Sequence, residues 1–577
     1  MSKATEQFEY WLNNDYFDQE TKDELLAIRN NADEVEDRFY RELEFGTGGL
    51  RGVIGAGTNR MNKYTVRKAT QGLANYIKKH GGADAAKKGV AISYDCRKFS
   101  PEFAEETALC LAANGIKAYV SDILRPTPEL SFALREFGCI AGVMVTASHN
   151  PPEYNGYKVY WEDGAQITPP HDTGIISEVM AITDYNEVKT MPKEEAVKAG
   201  LYESFGEELD DKYMVELKKQ IIHQDVIDEM ADKFTIVYTP FHGTGNLPVR
   251  RVLKELGFKN VFVVPEQELP DPDFTTLDYP NPEDPKAFKL ALELAKEKDA
   301  DIVLATDPDA DRLGIYAKDT KTGEYVGFTG NMSGMLIGDY ILRERTKTNT
   351  MPANPAFVTT IVTTNMAKAV AKKYGCHYIE VLTGFKYIGE QIKWFEQNHT
   401  YNYAFGLEES YGCLVGTHAR DKDAIVAVMA LCEVASFCKN QGKTLWDMMI
   451  DIYEKYGYYK ETQYTITMKG IDGAKQIADT MEKLRTNPPK AFGDLKVLKF
   501  RDYEKDVILD METGEKTTTG LPKSNVLYFE LPDDNWCCAR PSGTEPKIKF
   551  YMGVKGTSLA DAQARVEKLT EDVKAVL

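Results

Sequence analysis

The chain has 577 residues, of which 43% are hydrophobic and 28% charged, enough for about three to five domains with their own cores. Disorder is thereby excluded as the main state, and 70 basic against 89 acidic side chains, a net −19, argue against nucleic acid or an anionic membrane as a partner. Nine scattered cysteines without a C-x-x-C pair read as reduced thiols of a cytoplasmic protein, and no apolar run reaches the roughly 18 residues that a membrane span needs. No coiled-coil seam or wide apolar stripe points to an obligate protein partner.

Residues 1–44 hold 13 acids and five bases without an apolar leader segment, which predicts two or three amphipathic helices packed on the first domain. E-F-G-T-G-G-L-R-G (44–52) follows, a glycine-rich turn ending in Arg51. It could cradle an anion, but a structural turn is the plainer reading. V-A-I-S-Y-D (90–95), a helical run over 101–114, Gly115 and K-A-Y-V-S-D form a first strand–helix–strand unit. V-M-V-T-A-S-H-N-P-P (143–152) is a strand entering a turn, with Thr146, Ser148, His149 and Asn150 where open α/β sheets place ligands. Taken alone, a serine in a turn is a local hydrogen-bonder, and adjacent side chains such as Ser148 and His149 are expected to diverge. No G-x-S-x-G elbow supports a hydrolase triad. The charged, weakly periodic stretch 182–202 reads as a domain boundary.

F-T-I-V-Y-T (234–239), a helix over 247–256, Gly257 and N-V-F-V-V repeat the unit. A-D-I-V-L-A-T-D-P-D-A-D-R (300–312) is a buried strand that delivers Asp307, Asp309 and Asp311 together. Three carboxylates so close repel unless a cation lies among them, and hard oxygen ligands suit magnesium. An EF-hand is excluded, because its sixth position would be Arg312 rather than glycine and its twelfth Lys318. Arg312 beside the acids suits an anionic ligand there.

F-V-T-T-I-V (357–362), a helix over 365–374, Gly375 and H-Y-I-E-V-L give a third unit. F-G-L-E-E-S-Y-G (405–412) sets Glu408, Glu409 and Ser410 between glycines, acceptors suited to polyol hydroxyls or equally to a solvated turn. The apolar stretch 424–437 contains Glu433 and reads as a buried helix. Beyond residue 457 the rhythm changes to strands at 461–468, 525–530 and 547–552 and a helix at 559–577, a smaller α+β domain. There A-R-P-S-G-T-E-P-K-I-K (539–549) gathers Arg540, Ser542, Gly543, Thr544, Lys547 and Lys549, the makings of a phosphate clamp. The predicted fold class is α/β: three related mixed α/β domains (1–205 with the helical extension, 206–328, 329–456) and a C-terminal α+β domain (457–577).

In that order, T-A-S-H-N-P, D-P-D-A-D-R, E-E-S before Gly412 and R-P-S-G-T-E-P resemble the phosphoserine, magnesium, sugar and phosphate loops of the α-D-phosphohexomutase superfamily, over nearly the whole chain. The acidic extension, E-F-G-T-G-G-L-R-G and N-G-Y-K-V-Y-W (155–161) are similar to its bacterial phosphoglucomutase and phosphopentomutase-like branch. The resemblance implies four domains around a central cleft, a phosphoryl group on Ser148, and Mg2+ held by Asp307, Asp309, Asp311 and a phosphoserine oxygen. It also implies catalytic roles for Arg51, His149 and Lys158, the last as general acid/base. Phosphosugar contacts would come from Arg312, Lys386 (in T-G-F-K), Glu408, Ser410, Arg540, Ser542, Gly543 and Thr544. The implied reaction converts glucose 1-phosphate to glucose 6-phosphate through glucose 1,6-bisphosphate, which also serves as activator, under a lid-like fourth domain. A phosphopentomutase or phosphomannomutase would use the same residues, and Leu407 and Tyr411 beside E-E-S depart from many relatives, so the sugar stays open. A phosphatase with Asp307 as nucleophile would leave the serine loop and the Arg540 cluster unexplained.

Overall fold

The computed structural model describes residues 2–45, 49–468, 471–542 and 547–577. Three mixed sheets and one large antiparallel sheet follow one another along the chain, with a small two-stranded antiparallel pair, Ala491–Phe492 and Leu495–Lys496, in the last unit. The strands Ala141–Val145 and Ile302–Thr306 are buried at every position, so each needs a covered surface on both faces, which helices provide.

The first sheet runs in the order Gly49–Val53, Tyr154–Trp161, Ala141–Val145, Val90–Tyr94, Ala118–Ser121, Tyr202–Phe205. Its last four strands are parallel, and the first two are antiparallel additions at the edge. Tyr202–Phe205 pairs with Ala118–Ser121, which corrects the reading of 182–202 as a boundary. That stretch is a surface crossover inside the first unit. Its periodicity is weak because only a few side chains, among them Ile182, Tyr185, Val188 and Ala196, turn inward.

The second sheet orders Tyr325–Phe328, Leu313–Lys318, Ile302–Thr306, Thr235–Thr239 and Asn260–Val263, the last three parallel. The third orders His377–Val381, Pro355–Thr360, Asn402–Glu408 and Gly412–Leu414, the first three parallel. Parallel strands of all three sheets end in loops that meet: Ser148 Oγ lies 2.9 Å from Asp307, and Lys422 lies 3.2 Å from Asp311 and 3.4 Å from Glu408. Helix Ala424–Asn440 is nearly all buried, and Glu433 within it accepts the N–H groups of Ile222 and His223 and the hydroxyl of Tyr340. Among the described residues no single helix is long and apolar enough to cross a membrane.

The fourth sheet has seven strands, with Tyr458–Thr467, Lys547–Gly556, Trp536–Pro541 and Leu527–Glu530 side by side. Alternation gives it two apolar faces. Leu527, Phe529, Cys537 and Ala539 pack on Leu569 and Val573 of helix Leu559–Val576. Tyr528, Trp536, Cys538 and Tyr551 pack on Ile361, Val362 and Leu382 behind the third sheet. The adjacent cysteines therefore serve different cores, and all nine thiols are free and buried.

Three N-terminal helices, Lys3–Asn13, Gln19–Ile28 and Ala32–Phe39, start at side-chain caps from Ser2, Asp18 and Asn31. Trp11 centres them, stacked on Phe17 at 4.1 Å and edge-on to Tyr64 and Tyr185 of the first unit at 5.6 Å. Trp11 is fully buried, so Trp11→Ala is expected to cost about 3–5 kcal/mol of local stability. Limited proteolysis should then cut within residues 1–44 first and leave the rest of the chain protected.

Candidate active site

The strand Ala141–Val145 ends in a loop that carries Ser148 at φ 52°, a left-handed conformation. Such a conformation is costly for a residue with a Cβ and persists only where the surroundings enforce it. Arg97 does the enforcing. Its guanidinium donates to the carbonyls of Ser148 at 2.6 Å, Pro151 at 2.8 Å and Tyr154 at 3.1 Å, and also to Asn150. Asp95 lies against Arg97 and accepts the hydroxyls of Thr146 and Ser100 at 2.6 and 2.7 Å. Thr146 in turn accepts the Ser148 N–H at 2.8 Å. Asp95 and Arg97 were not singled out from the sequence. Their signal is D-C-R at the end of the strand Val90–Tyr94, a strand-end position beside the serine loop in the sheet order.

The same left-handed turn overrides the expectation that Ser148 and His149 diverge: Oγ and Nδ1 are 3.2 Å apart. Burial first, then the charges of Arg312 and Arg51, hold the His149 imidazole neutral, well below its usual pKa. Ser148 Oγ, in a residue only 3% exposed, also donates to Asp307 Oδ2 at 2.9 Å. The nucleophile candidate and the acidic cluster are thus one constellation, although they lie 159 residues apart.

One oxygen from each of Asp307, Asp309 and Asp311 falls within 4.8 Å of the others, and all three residues are buried. Burial, then Asp309 and Asp311, push the Asp307 carboxyl well above the usual range. Burial also opposes charge on Asp309, but Lys158 Nζ at 2.7 Å outweighs it and holds that carboxyl well below. Thr127 Oγ1 donates to Asp309 at 2.8 Å. Oδ1 of Asp309 and Oδ1 of Asp311 are buried without a hydrogen-bond partner. Unpaired acceptors among clustered carboxylates are the donor set of a hard divalent cation, so these residues fit magnesium.

Arg51 and Lys158 come from the edge pair Gly49–Val53 and Tyr154–Trp161. Arg51 lies opposite Gly156, and any Cβ at Gly156 would strike the Thr146 carbonyl. Arg51 Nη1 reaches Asn150 at 3.0 Å, on the serine loop. Arg312 turns to Glu283 at 2.7 Å, while its backbone N–H and that of Asp311 bind Asp307 Oδ1.

From the third sheet come Glu408, whose pKa burial raises to about 7, and Ser410, whose hydroxyl reaches Glu409 at 3.3 Å. Glu409 is itself bound by Thr360 Oγ1 at 3.0 Å. Lys386, at the start of helix Phe385–Asn398, is buried, donates to the Ile167 carbonyl at 3.4 Å, and is pushed down by burial to about 8. Lys422 was not anticipated. Its ammonium lies 3.2 Å from Asp311 and 3.4 Å from Glu408, the only ammonium among the described residues within 4 Å of both the acid cluster and the sugar loop. R-D-K-D before a helix cap was its only trace in the sequence. From the fourth sheet, Arg540 stands opposite Lys549, and the Ser542 N–H binds the Lys547 carbonyl. Gly543 and Thr544 lie outside the described residues, as do 46–48 of the glycine-rich turn.

Family models for the alpha/beta/alpha domains I, II and III of phosphoglucomutase/phosphomannomutase match residues 42–186, 211–322 and 329–456. A Staphylococcus aureus (strain MRSA252) protein named phosphoglucomutase is 35% identical over 562 residues, 95% of this chain and 98% of that one. The chain belongs to the phosphoglucomutase/phosphomannomutase family. Its members are phosphotransferase isomerases of the α-D-phosphohexomutase superfamily, and this chain is such an enzyme. A second relative, from S. aureus strain bovine RF122 / ET3-1, is 36% identical over 93% of this chain and 94% of its own length. The solved structure of the Paramecium phosphoprotein parafusin, a phosphoglucomutase in its open form, has a TM-score of 0.68 at 19% identity and covers 93% of this chain and 95% of its own. A Burkholderia thailandensis family protein gives 0.63 at 20%, with 92% and 97% covered. At such identities these two establish the shared fold alone.

In this mutase fold the Asp95–Arg97 pair carries the serine loop, and both side chains are fully buried. Arg97→Met leaves Asp95 uncompensated and is expected to cost about 3–5 kcal/mol in denaturant unfolding. Asp95→Asn added to it should recover part of that loss.

Proposed function

We propose that this chain interconverts glucose 1-phosphate and glucose 6-phosphate through a phosphoserine at Ser148 and glucose 1,6-bisphosphate. The observation that carries the reading is the placement of Ser148 Oγ 2.9 Å from Asp307, at the lip of the carboxylate cluster. The glucose assignment leans on the S. aureus relatives named phosphoglucomutase.

Asp307, Asp309, Asp311 and an oxygen of the phosphorylated Ser148 would hold Mg2+. Bound there, it would supply neutralising charge to the phosphoryl group. The chain's own residues do the remainder. In the forward half-reaction the Ser148 Oγ–P bond breaks, a sugar O–P bond forms, and the sugar hydroxyl proton ends on Ser148 Oγ. His149, neutral and 3.2 Å from that oxygen, can hold or pass this proton. Lys158 stays charged because Asp309 and Asp311 outweigh its burial, so it enters as the general acid of the pair. Arg51 faces the loop from the opposite edge. Glu408 and Ser410 meet sugar hydroxyls, Arg312 faces the anionic group at the acid cluster, and Lys386, Arg540 and Ser542 bind the phosphate that does not react. Positioning of this kind supplies most of the catalysis in phosphoryl transfer. An aspartyl-phosphate route through Asp307 is disfavoured, since one of its oxygens accepts two backbone N–H groups and the other the Ser148 hydroxyl.

The test is a panel of glucose, mannose, ribose and deoxyribose 1-phosphates with magnesium and a trace of the matching bisphosphate. Glucose 1-phosphate should lead by tenfold or more in kcat/KM, about 1.4 kcal/mol of transition-state discrimination. Leading pentose phosphates would move the substrate, and full activity of Ser148→Ala on all four would remove the phosphoserine. Chelation of magnesium should abolish turnover reversibly.

The Lys386 ammonium gives a pH signature. Below pH about 8 it is charged and can grip a phosphate; above that it is neutral and cannot. We expect kcat/KM to fall as pH rises through 8, up to tenfold per unit, and Lys386→Arg, charged to beyond pH 12, to shift that fall upward.

A further inference from the structure

Lys422 bridges the acid cluster and the sugar loop, its stem laid over Gly412 and its ammonium 5.8 Å from the centre of the Phe385 ring. A lysine side chain carries about 2 kcal/mol of rotamer entropy that must be overcome to hold one pose. Beyond the packing on Gly412, a further constraint comes from its two sequence neighbours. Asp421 accepts the Lys422 N–H on Oδ1 at 2.8 Å, with Lys422 Nζ 3.4 Å away, and on Oδ2 it accepts the hydroxyl of Tyr160 at 2.8 Å. Asp423 caps helix Ala424–Asn440 through Oδ1, bound by the N–H groups of Ile425 and Val426 at 2.9 Å. Its Oδ2 accepts the hydroxyl of Tyr213 at 2.8 Å and pairs with His418 Nε2 at 2.7 Å.

The two phenols reach this point from different units. Tyr160 lies on the strand Tyr154–Trp161, two residues after Lys158 and so on the same face. The strand that sets Lys158 on Asp309 therefore also sets Tyr160 on Asp421. Tyr213 comes from helix Glu207–Lys218, which leads into the second sheet. Tyr160, Tyr213 and Asp423 have no exposed surface, so water cannot replace either phenol. In such a setting an unmade hydrogen bond leaves the carboxylate short of a donor and free to turn.

We infer that Tyr160 and Tyr213 are positioning residues, a clamp from two units of the fold that locks Asp421 and Asp423 and thereby aims the Lys422 ammonium between Asp311 and Glu408. The clamp is complete only when the first three units are docked, so the geometry of Lys422 reports their assembly. The inference rests on the proposed phosphosugar transfer for its kinetic consequence, and on the hydrogen bonds alone for its structural one.

The test combines Tyr160→Phe and Tyr213→Phe with Lys422→Met. Each tyrosine variant is expected to lower kcat on glucose 1-phosphate about fivefold or more, with KM changed less than twofold. In the Lys422→Met background each should add less than a twofold further loss, because the clamp then has nothing to aim. A purely structural role predicts lower thermal stability with unchanged kcat, or losses that multiply undiminished with Lys422→Met, and either result overturns the clamp. A readout without turnover is labelling of Lys422 by an amine-reactive ester, followed by mass spectrometry. It should rise at least threefold in either variant while labelling of Lys386, also buried, does not, and equal labelling overturns the inference. Should Tyr213→Phe fail to fold, Tyr160→Phe, on another element, carries the same test. A wild-type chain inactive on every phosphosugar would defeat the proposed function and leave the labelling result to decide the clamp.

Discussion

Three carboxylates confined within 4.8 Å, all buried, set the terms for everything around them. Such a cluster cannot be assembled from anions alone. The fold answers by sending cations from separate units to the same point: Lys158 from the first sheet, Arg312 from the cluster's own loop, Lys422 from behind the third sheet. Two carboxylate oxygens are still left without a partner. The cationic groups therefore order the cluster without saturating it, and the remaining acceptors fit a divalent cation.

A second constraint is backbone strain at Ser148, the proposed phosphoryl carrier. Ser148 at φ 52° places Oγ against both His149 and Asp307, contacts that an extended loop would not make together. The cost is met by Arg97, which holds the loop by its carbonyls and leaves the side chains free for chemistry. A guanidinium suits this because its rigid fork offers five donors to carbonyls converging from several directions.

What was legible in the sequence follows from range. D-P-D-A-D-R concentrates its chemistry within a few residues at a strand end, so composition exposed it before any tertiary information, whereas T-A-S-H-N-P and E-E-S drew their roles from the resemblance of all the loops taken in order. The three βα units were legible from their local periodicity. Arg97, Lys422, Tyr160 and Tyr213 acquire their meaning only from partners 50 or more residues away in the chain, or from what those partners hold. The approach of His149 to Ser148 was not legible because a left-handed turn is invisible when glycine does not mark it. The stretch 182–202 was misjudged because a surface crossover and a linker share the same charged, weakly periodic composition.

Net charge illustrates the same limit. A chain at −19 repels anions on average, yet its cleft gathers Arg51, Lys158, Arg312, Lys386 and Lys422. Acids distributed over the surface are screened within about 10 Å by salt, whereas cations in a low-dielectric cleft act at nearly full strength on a ligand that enters it. The surface acidity then works for the enzyme. It lowers affinity for polyanions too large to approach the buried cations, while a small phosphosugar can reach them. Positive charge gathered inside a chain that is acidic overall is thus a local arrangement, and for Lys158 and Lys422 the buried carboxylates hold it in place.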